Sequence, residues 1–373
     1  MTPDPYASVV LPTHGDRGTL DAAVASVLAQ RHRDIELLLV SDGAGGATVA
    51  RLRRWAGRDR RVRVLDLPKG EGRGEANRDR AVREARSPRI FYIDDDDLWL
   101  PDHVETLGPA LEGSDVAESI PVSVTGRGRL AAVPDSHAHG PMRRLLAEKR
   151  HKSMFDTHLA HRKDAYLALP RGWRPELDGR PVLHFLAQFA ADERFRWAAV
   201  PRVTALSLHG AARVDHAPEA RAGEINHWRA LVQGGRDGPA LLAEATFQHH
   251  FWRLVQAVPA EGGEDLPRYC ERLCLGVGPA AAPGRPALGP RHWDEVVAAW
   301  RFARGEPLEP AAAAEMLLTV TDPLLGPATA SAPDLVRIAE DCVGRGGLAG
   351  VAEALRPFAE DHAVTGLLAH LPS

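Results

Sequence analysis

The first 112 residues alternate between short apolar runs and segments with helical spacing. The apolar runs predict buried strands at 8–13, 35–40, 62–65 and 89–93. Apolar residues that recur every three or four positions predict helices between these strands, and another helix from Pro101 onward. Strands separated by helices of this length form a mostly parallel sheet that helices cover on both faces. The sequence therefore predicts an α/β fold for this region.

The remainder of the chain is less regular and then becomes helical. Residues 113–215 contain one helical pattern at 182–189 and two strand patterns at 195–200 and 203–208. Residues 216–373 have helical spacing interrupted by Pro- and Gly-rich breaks. We therefore predict three parts, at 1–112, 113–215 and 216–373.

Polar clusters follow three of the predicted strands at the point where each strand ends. Thr13 and His14 follow the first strand, Asp42 follows the second, and the run from Asp94 to Asp97 follows the fourth. In open parallel sheets, ligands bind beyond the carboxyl ends of the strands. We therefore expect these clusters to converge on one binding site.

Four consecutive aspartates after an apolar strand repel one another unless a positive charge offsets them. A hard divalent cation does this through oxygen ligands, and Mg²⁺ or Mn²⁺ would take one or two carboxylates together with substrate phosphate oxygens. The alternative is a solvated acidic loop at the N-terminus of the helix that begins near Pro101. From the residues alone, both interpretations stay open.

Basic residues are concentrated between positions 51 and 89, which contain 14 Arg or Lys and 6 Asp or Glu. Such a local excess of positive charge would attract a nucleoside diphosphate. The alternative is that these side chains cover a solvent-facing helix surface, as the spacing of Arg51, Arg53, Arg54 and Arg58 indicates. Arg73 and Arg78 are the two that lie beside the glycine-rich segment 70–74.

Composition narrows the classes of protein to consider. The 373 residues are 44% hydrophobic and 26% charged, with a net charge of −4 that does not favour nucleic-acid binding. Three cysteines without a regular spacing argue against a secreted disulfide scaffold. With no signal-peptide pattern and no apolar stretch of about 18 residues, we expect a cytoplasmic protein without a transmembrane segment.

Four motifs in this order resemble the inverting glycosyltransferases of family 2, which have the GT-A fold. Residues 10–14 are similar to the first strand and Pro-Thr turn of that family, and 40–43 to its second strand. Residues 72–85 resemble its Gly-rich turn and the helix that follows. The segment 93–101 is the most similar, since it contains Asp-x-Asp followed by Asp-x-Trp-x-Pro.

The resemblance implies a GT-A (Rossmann-like) domain that binds a nucleoside-diphosphate sugar, with a UDP-sugar as the expected donor and Mn²⁺ or Mg²⁺ as cofactor. It implies that the acid at position 42 contacts the nucleotide base, that Asp94 contacts the ribose or the metal, and that Asp96 binds the metal. His209, after the strand at 203–208, is a further metal-ligand candidate. The expected donor-binding residues are Pro12, Thr13, His14, Asp42, Arg73, Arg78, Asp94 and Asp95.

The catalytic base is the element of the family pattern that this sequence lacks. An inverting transfer needs a base to take the proton of the attacking hydroxyl. The family supplies it from a Glu-Asp pair before a helix, whereas this chain has 173–181 there without that pair. Asp178 is the first candidate base, Glu176 the second and His184 the third.

Other functions are also open to test at this stage. A GT-A protein that has lost catalysis and serves as a binding or scaffold protein is the main alternative, because the Glu-Asp pair is missing. A sugar-nucleotide pyrophosphorylase would need a Gly-rich basic loop after the first strand, which 12–16 does not supply. The helical C-terminal part could bind the acceptor, form a homodimer or dock on another protein.

Overall fold

The computed structural model describes most of the N-terminal two thirds of the chain and part of the C-terminal third. The described residues are 4–15, 17–124, 130–132, 136–138, 140–149, 152, 155–176, 180–200, 202–208, 213, 216–234, 242, 245, 307–320 and 332–372. Contacts within the chain divide it into two compact units. The first comprises Met1–Val124 and Asp135–Leu242, and the second comprises Thr125–Pro134 and Ala243–Ser373.

Strands and helices alternate through the first 112 residues, as the apolar pattern predicts. In chain order, the described strands are β1 Ala7–Thr13, β2 Ile35–Asp42, β3 Val62–Leu67, β4 Arg89–Tyr92, β5 Leu98–Trp99, β6 Val116–Ser119, β7 Val122–Val124, β8 Leu130–Ala132, β9 Leu159–Arg162, β10 Trp197–Val200 and β11 Ala205–Leu206. The described helices are α1 Leu20–Leu28, α2 Gly46–Arg58, α3 Glu75–Glu84, α4 His103–Leu107, α5 Gly140–Ala147, α6 Lys163–Leu167, α7 Pro181–Ala190, α8 Pro218–Val232, α9 Pro310–Val320, α10 Ala332–Val343, α11 Leu348–Leu355 and α12 His362–Leu368.

A seven-stranded sheet forms the centre of the first unit, in the order β10-β6-β9-β4-β1-β2-β3. All neighbouring strands are parallel except β9, which runs antiparallel to both β4 and β6. Two short strands, β5 and β11, pair antiparallel outside this sheet. The prediction of a mostly parallel, GT-A-like sheet with flanking helices is confirmed.

Every residue of β1 and β2 is buried, because helices cover both faces of the sheet. Val9 and Leu11 of β1 point to a cluster with α1, α2 and α4, whereas Val10 points to a cluster with α3 and α7. Successive side chains of a strand face opposite sides, so an apolar run with no polar alternation requires this double cover. The two clusters fix the strand ends relative to one another.

Some predicted element limits differ from those observed. The helix expected to begin at Pro101 begins two residues later, because the Pro101 carbonyl accepts a hydrogen bond from Arg31 N at 2.8 Å, outside any helix. Thr19 occupies the N-cap position of α1 but makes no side-chain capping bond. The strands expected at 195–200 and 203–208 are shorter, comprising β10 and β11.

Helix α8 packs against α1 in the first unit. At the contact, Gly18 adopts a positive φ of +90°. A Cβ atom at this position would collide with the carbonyl oxygen of Pro218, the first residue of α8. The start of α8 is thereby set directly beside the turn that follows β1.

In the second unit, helices α9 to α12 share an apolar cluster of their own, which includes Leu317, Ala339, Val351 and Leu367. These helices agree with the helical spacing of this part of the sequence. The limits at residues 112 and 215 stay predictions.

His161 of β9 is fully buried among aromatic rings and makes two hydrogen bonds that a neutral ring satisfies. Its Nδ1 lies 2.9 Å from the carbonyl oxygen of Arg162, and its Nε2 lies 2.8 Å from the hydroxyl of Tyr92. Since the carbonyl can only accept, Nδ1 donates to it, and in the neutral ring Nε2 accepts from the Tyr92 hydroxyl. Burial lowers the pKa of His161 to about 4.

We expect this histidine to destabilise the protein in acid. Below pH 6.5 the unfolded chain binds a proton that the native site excludes. The contribution of His161 to the free energy of unfolding is therefore complete above pH 6.5 and is lost as the pH falls toward 4. The free energy of unfolding of wild type relative to His161→Gln should fall by about 1.4 kcal/mol between pH 7.5 and pH 5.5. Urea denaturation of both proteins at each pH measures this difference, and other titrating groups cancel between them. Parallel pH profiles would contradict the assignment.

Candidate active site

The parallel strands β1, β2 and β4 end at the same edge of the sheet, and a cleft of about 680 Å³ opens there. Its location agrees with the rule that ligands bind beyond the carboxyl ends of parallel strands. Every described residue predicted to bind the donor or the metal lines this cleft. They are Pro12, Thr13, His14, Asp42, Arg73, Arg78, Asp94, Asp95 and Asp96.

The end of β1 contributes Thr13 and His14. The hydroxyl of Thr13 donates a hydrogen bond to Asp95 Oδ2, which ties this strand end to the acidic run. His14 is exposed at the cleft, where partial burial and the neighbouring positive charge of Arg17 lower its pKa. A neutral imidazole at this position can accept a hydrogen bond from a ligand.

The end of β2 contributes Asp42, whose two carboxylate oxygens anchor the loop that follows β3. Lys69 Nζ lies 2.6 Å from Oδ2, while Gly70 N and Asn77 Nδ2 lie 2.7 and 2.6 Å from Oδ1. Burial alone would raise the pKa of Asp42, but these hydrogen bonds outweigh it and lower the pKa. Asp42 is therefore an ionised anchor for the loop at 69–77.

Gly74 closes the same loop just before α3. Its φ of +85° is accessible to glycine and strained for other residues, and a Cβ atom here would lie 2.7 Å from Asp42 Oδ2. The glycine-rich turn is thus required by the close approach of its backbone to the Asp42 carboxylate.

Arg78 extends from α3 to the acidic run. Its Nη2 donates to Asp94 Oδ1 at 3.2 Å, and its Nη1 donates to the carbonyl oxygen of Arg73 at 2.8 Å. The guanidinium also lies over the ring of Trp173, 5.4 Å from the ring centre. Arg78 is largely buried at the cleft, whereas the side chain of Arg73 is exposed at its edge.

Each aspartate of the run has a different protein partner. Asp94 pairs with Arg78, and Asp95 accepts from Thr13. Asp96 Oδ2 lies 2.8 Å from Nη2 of Arg221, and Asp97 Oδ1 accepts from the backbone N–H of Leu208 at 2.9 Å. The four carboxylates are therefore held individually by separate parts of the fold.

A fifth carboxylate, Asp156, is buried beside this run. Burial, followed by repulsion from neighbouring carboxylates, raises the pKa of Asp95 and of Asp156 to about 7 and that of Asp96 to about 6. The pKa of Asp97 is raised well above its usual value for the same reasons. The cluster therefore carries more acidic groups than its protein cations neutralise.

The chemistry of this cluster fits a hard divalent cation. Among the described residues, Arg78 engages only Oδ1 of Asp94 and Arg221 engages only Oδ2 of Asp96, so one oxygen of each carboxylate remains for a metal. In the described part of the chain, no three Asp, Glu, His or Cys side chains are placed so that they could hold a metal ion by themselves. A cation here would take its other ligands from substrate phosphate and water, as Mg²⁺ commonly does.

The candidate bases lie elsewhere or outside the described residues. The carboxylate of Glu176 is 3.3 Å from Arg171 Nη1 and 3.7 Å from His184 Nδ1, and this residue is not among the described residues lining the cleft. Asp178 and the metal-ligand candidate His209 lie outside the described residues. Arg180, Pro181 and Val182, at the start of α7, line the cleft.

Several cleft residues had no signal in the sequence motifs. Lys69 and Lys152 line the cleft, and they are two of only four lysines in a chain whose other basic side chains are arginines, which is the one signal that could have identified them. Asp156 also lines it, as a single acid within an irregular segment. Arg221 is 125 residues from its partner Asp96, and no local pattern relates the two.

Comparison with known proteins identifies the N-terminal region. Residues 8–162 match the family model described as glycosyl transferase family 2. This region belongs to glycosyltransferase family 2. The matched span runs from the second residue of β1 to the end of β9 and includes every cleft residue up to Asp156.

Individual relatives of the family 2 region agree with this membership. WfgD of Escherichia coli, a UDP-Glc:alpha-D-GlcNAc-diphosphoundecaprenol beta-1,3-glucosyltransferase, is 28% identical over 102 residues, which are 27% of this chain and 39% of WfgD. The succinoglycan biosynthesis protein ExoW of Rhizobium meliloti is 32% identical over 99 residues, 26% of this chain and 31% of ExoW. The alignments thus span less than half the length of these relatives.

The crystal structure of S. aureus TarS 1–349 is similar to this chain with a TM-score of 0.42 and 14% sequence identity, covering 94% of this chain and 91% of that one. Among the described helices, none has the length and apolar character needed to cross a membrane.

We expect Gly74→Ala to destabilise the protein. The new methyl group would require a strained φ and would displace the Asp42 carboxylate, so the free energy of unfolding should fall by about 1–3 kcal/mol. Gly57→Ala is the control, because Gly57 lies in α2 with open space around its Cβ position and no positive φ. Urea denaturation measures both changes. An equal, small effect in the two variants would show that the loop at 69–77 does not depend on this glycine.

Proposed function

We propose that this protein transfers a sugar from a nucleoside-diphosphate donor to an acceptor hydroxyl, with inversion at the anomeric carbon and with the help of Mn²⁺ or Mg²⁺. The observation that carries this proposal is the convergence of the aspartate run, Arg78 and the Asp42-anchored loop in one cleft at the ends of parallel strands. Membership of residues 8–162 in glycosyltransferase family 2 supports the same reaction class.

The nucleotide would bind between the ends of β1 and β2. Thr13 and His14 would contact it from one side, and the Asp42 corner from the other. Both oxygens of Asp42 already accept hydrogen bonds, from the Lys69 side chain and from the Gly70 backbone. Asp42 would therefore act partly by holding these two groups in position beside the nucleotide. The UDP-Glc named as the donor of WfgD supports a UDP-sugar as the donor here.

Asp94 and Asp96 would hold the divalent cation, with His209 as a further ligand, while Asp95 and Asp97 keep the run in position. When bound, the metal would stabilise negative charge on the departing diphosphate. Arg73 and Arg78 would add positive charge on the same side of the cleft, since Arg78 is already fixed against Asp94.

In the transfer itself, a base takes the proton of the acceptor hydroxyl, the acceptor oxygen bonds to the anomeric carbon, and the bond from that carbon to the diphosphate breaks. We propose Asp178 as this base and Glu176 as the second candidate. The ion pair of Glu176 with Arg171 would hold its carboxylate away from an acceptor. In this scheme residues 1–112 bind the donor, and residues 113–215 bind the acceptor.

Substituting Asp96 with asparagine should remove metal-dependent donor binding. The substitution deletes the negative charge while keeping the shape of the side chain, so calorimetry with UDP and Mn²⁺ should show an affinity at least about tenfold weaker than wild type. Asp66→Asn is the control, because Asp66 pairs with Arg53 outside the cleft. Undiminished binding by Asp96→Asn would exclude Asp96 as a metal ligand.

Substituting Asp178 with asparagine should separate binding from transfer. Donor affinity should stay at the wild-type level, while the transfer or donor-hydrolysis rate should fall by roughly 100-fold or more, the usual contribution of a general base. Glu176→Gln, measured in parallel, should have the smaller effect. Normal turnover by Asp178→Asn would exclude it as the base. A wild-type protein that binds UDP-sugars but neither transfers nor hydrolyses any of a donor panel would support the non-catalytic alternative.

A further inference from the structure

The pairing of Arg221 with Asp96 brings a residue from outside the matched family region to the proposed metal site. Arg221 lies on α8, beyond residue 162, and its side chain is only 3% exposed. Its Nη2 donates to Asp96 Oδ2 at 2.8 Å. Arg221 is not among the described residues that line the cleft, so it contacts Asp96 on the side that faces away from the cleft.

Among the described residues, Asp96 is the only one whose side chain pairs with the Arg221 guanidinium. The Nε of Arg221 is buried and has no hydrogen-bond partner among the described residues. The charge of Arg221 is therefore fixed at one oxygen of Asp96, while the other oxygen remains for a ligand in the cleft. A cation at that second oxygen would lie close to a permanent positive charge of the protein, and like charges at short range in a partly buried site repel strongly.

We propose that Arg221 is an internal counter-ion of the metal site: it neutralises Asp96 when no metal is bound and weakens the binding of the divalent cation. This inference rests on the proposed function, because it takes Asp96 as a metal ligand. Arg221 is then a positioning residue that acts through Asp96. The cation would bind firmly only together with an anionic ligand such as a diphosphate, which supplies the negative charge that Arg221 offsets.

Two substitutions separate the charge of Arg221 from its hydrogen bond. Arg221→Gln keeps an N–H donor for Asp96 but removes the charge, whereas Arg221→Lys keeps the charge. Glu224→Gln is the control on the same helix, since it disrupts the ion pair of Glu224 with Arg213 without altering the described contacts of the aspartate run. Binding of Mn²⁺ alone, without nucleotide, is measured by electron paramagnetic resonance at pH 8.5 for wild type and every variant.

Arg221→Gln should bind Mn²⁺ at least about tenfold more tightly than wild type, and Arg221→Lys should stay within about threefold of wild type. Glu224→Gln should also match wild type. Without metal, Arg221→Gln should melt at a lower temperature, because a buried carboxylate has lost the positive charge that neutralised it, and Mn²⁺ should raise its melting temperature more than that of wild type.

Equal or weaker Mn²⁺ affinity in Arg221→Gln would overturn the proposal while leaving the metal site itself intact. Absence of Mn²⁺ binding in wild type and in every variant would overturn it together with the metal dependence of the proposed function. If Arg221→Gln does not fold alone, Mn²⁺ added during refolding should restore a cooperative melting transition, because the cation replaces the missing charge. No restoration by Mn²⁺ would likewise overturn the proposal.

Discussion

Five carboxylates crowd the carboxyl end of β4 and the segment before β9, in a region partly removed from water. Unpaired, they would repel one another strongly, since a low dielectric amplifies interactions between charges. The fold offsets this repulsion with partners from distant parts of the chain. Thr13 comes from β1, Arg78 from α3, the backbone of Leu208 from the segment after β11, and Arg221 from α8.

These contacts give the acidic run a structural role beside any chemical one. The segment 94–97 connects β4 of the central sheet to the short strand β5, which follows directly and pairs with β11. Asp97 accepts a hydrogen bond from the backbone N–H of Leu208, just after β11. Asp95 accepts one from Thr13 at the end of β1. Replacing a carboxylate of the run therefore changes the packing of segments far apart in sequence as well as the charge of the cleft.

The sequence predicted those features that depend on local periodicity. Unbroken apolar runs such as 37–40 required a sheet covered on both faces, and parallel strands necessarily bring Thr13, Asp42 and Asp94 to one edge. The family resemblance added the expected role of each residue. Arg78 could be singled out because it lies beside the glycine-rich turn that its helix follows.

Features that depend on packing between distant segments could not be predicted in this way. The engagement of both Asp42 oxygens by Lys69, Gly70 and Asn77 follows from the path of a loop that no periodic pattern specifies. Helix α4 begins after Pro101 because the carbonyl of Pro101 accepts a hydrogen bond from the backbone N–H of Arg31, seventy residues earlier. Glu176 was selected by its position before a helix, yet its surroundings are set by Arg171 and His184.

The contact between Gly18 and Pro218 links the turn after β1 to the charge balance of the cleft. Helix α8 can approach this turn only because position 18 has no side chain, and the same helix carries Arg221 to Asp96 one turn later. A single methyl group at position 18 would push α8 outward and move the positive charge of Arg221 away from Asp96. The methyl group itself would contact neither of these two side chains. The electrostatics of this site are thus sensitive to the size of a residue that has no charge at all.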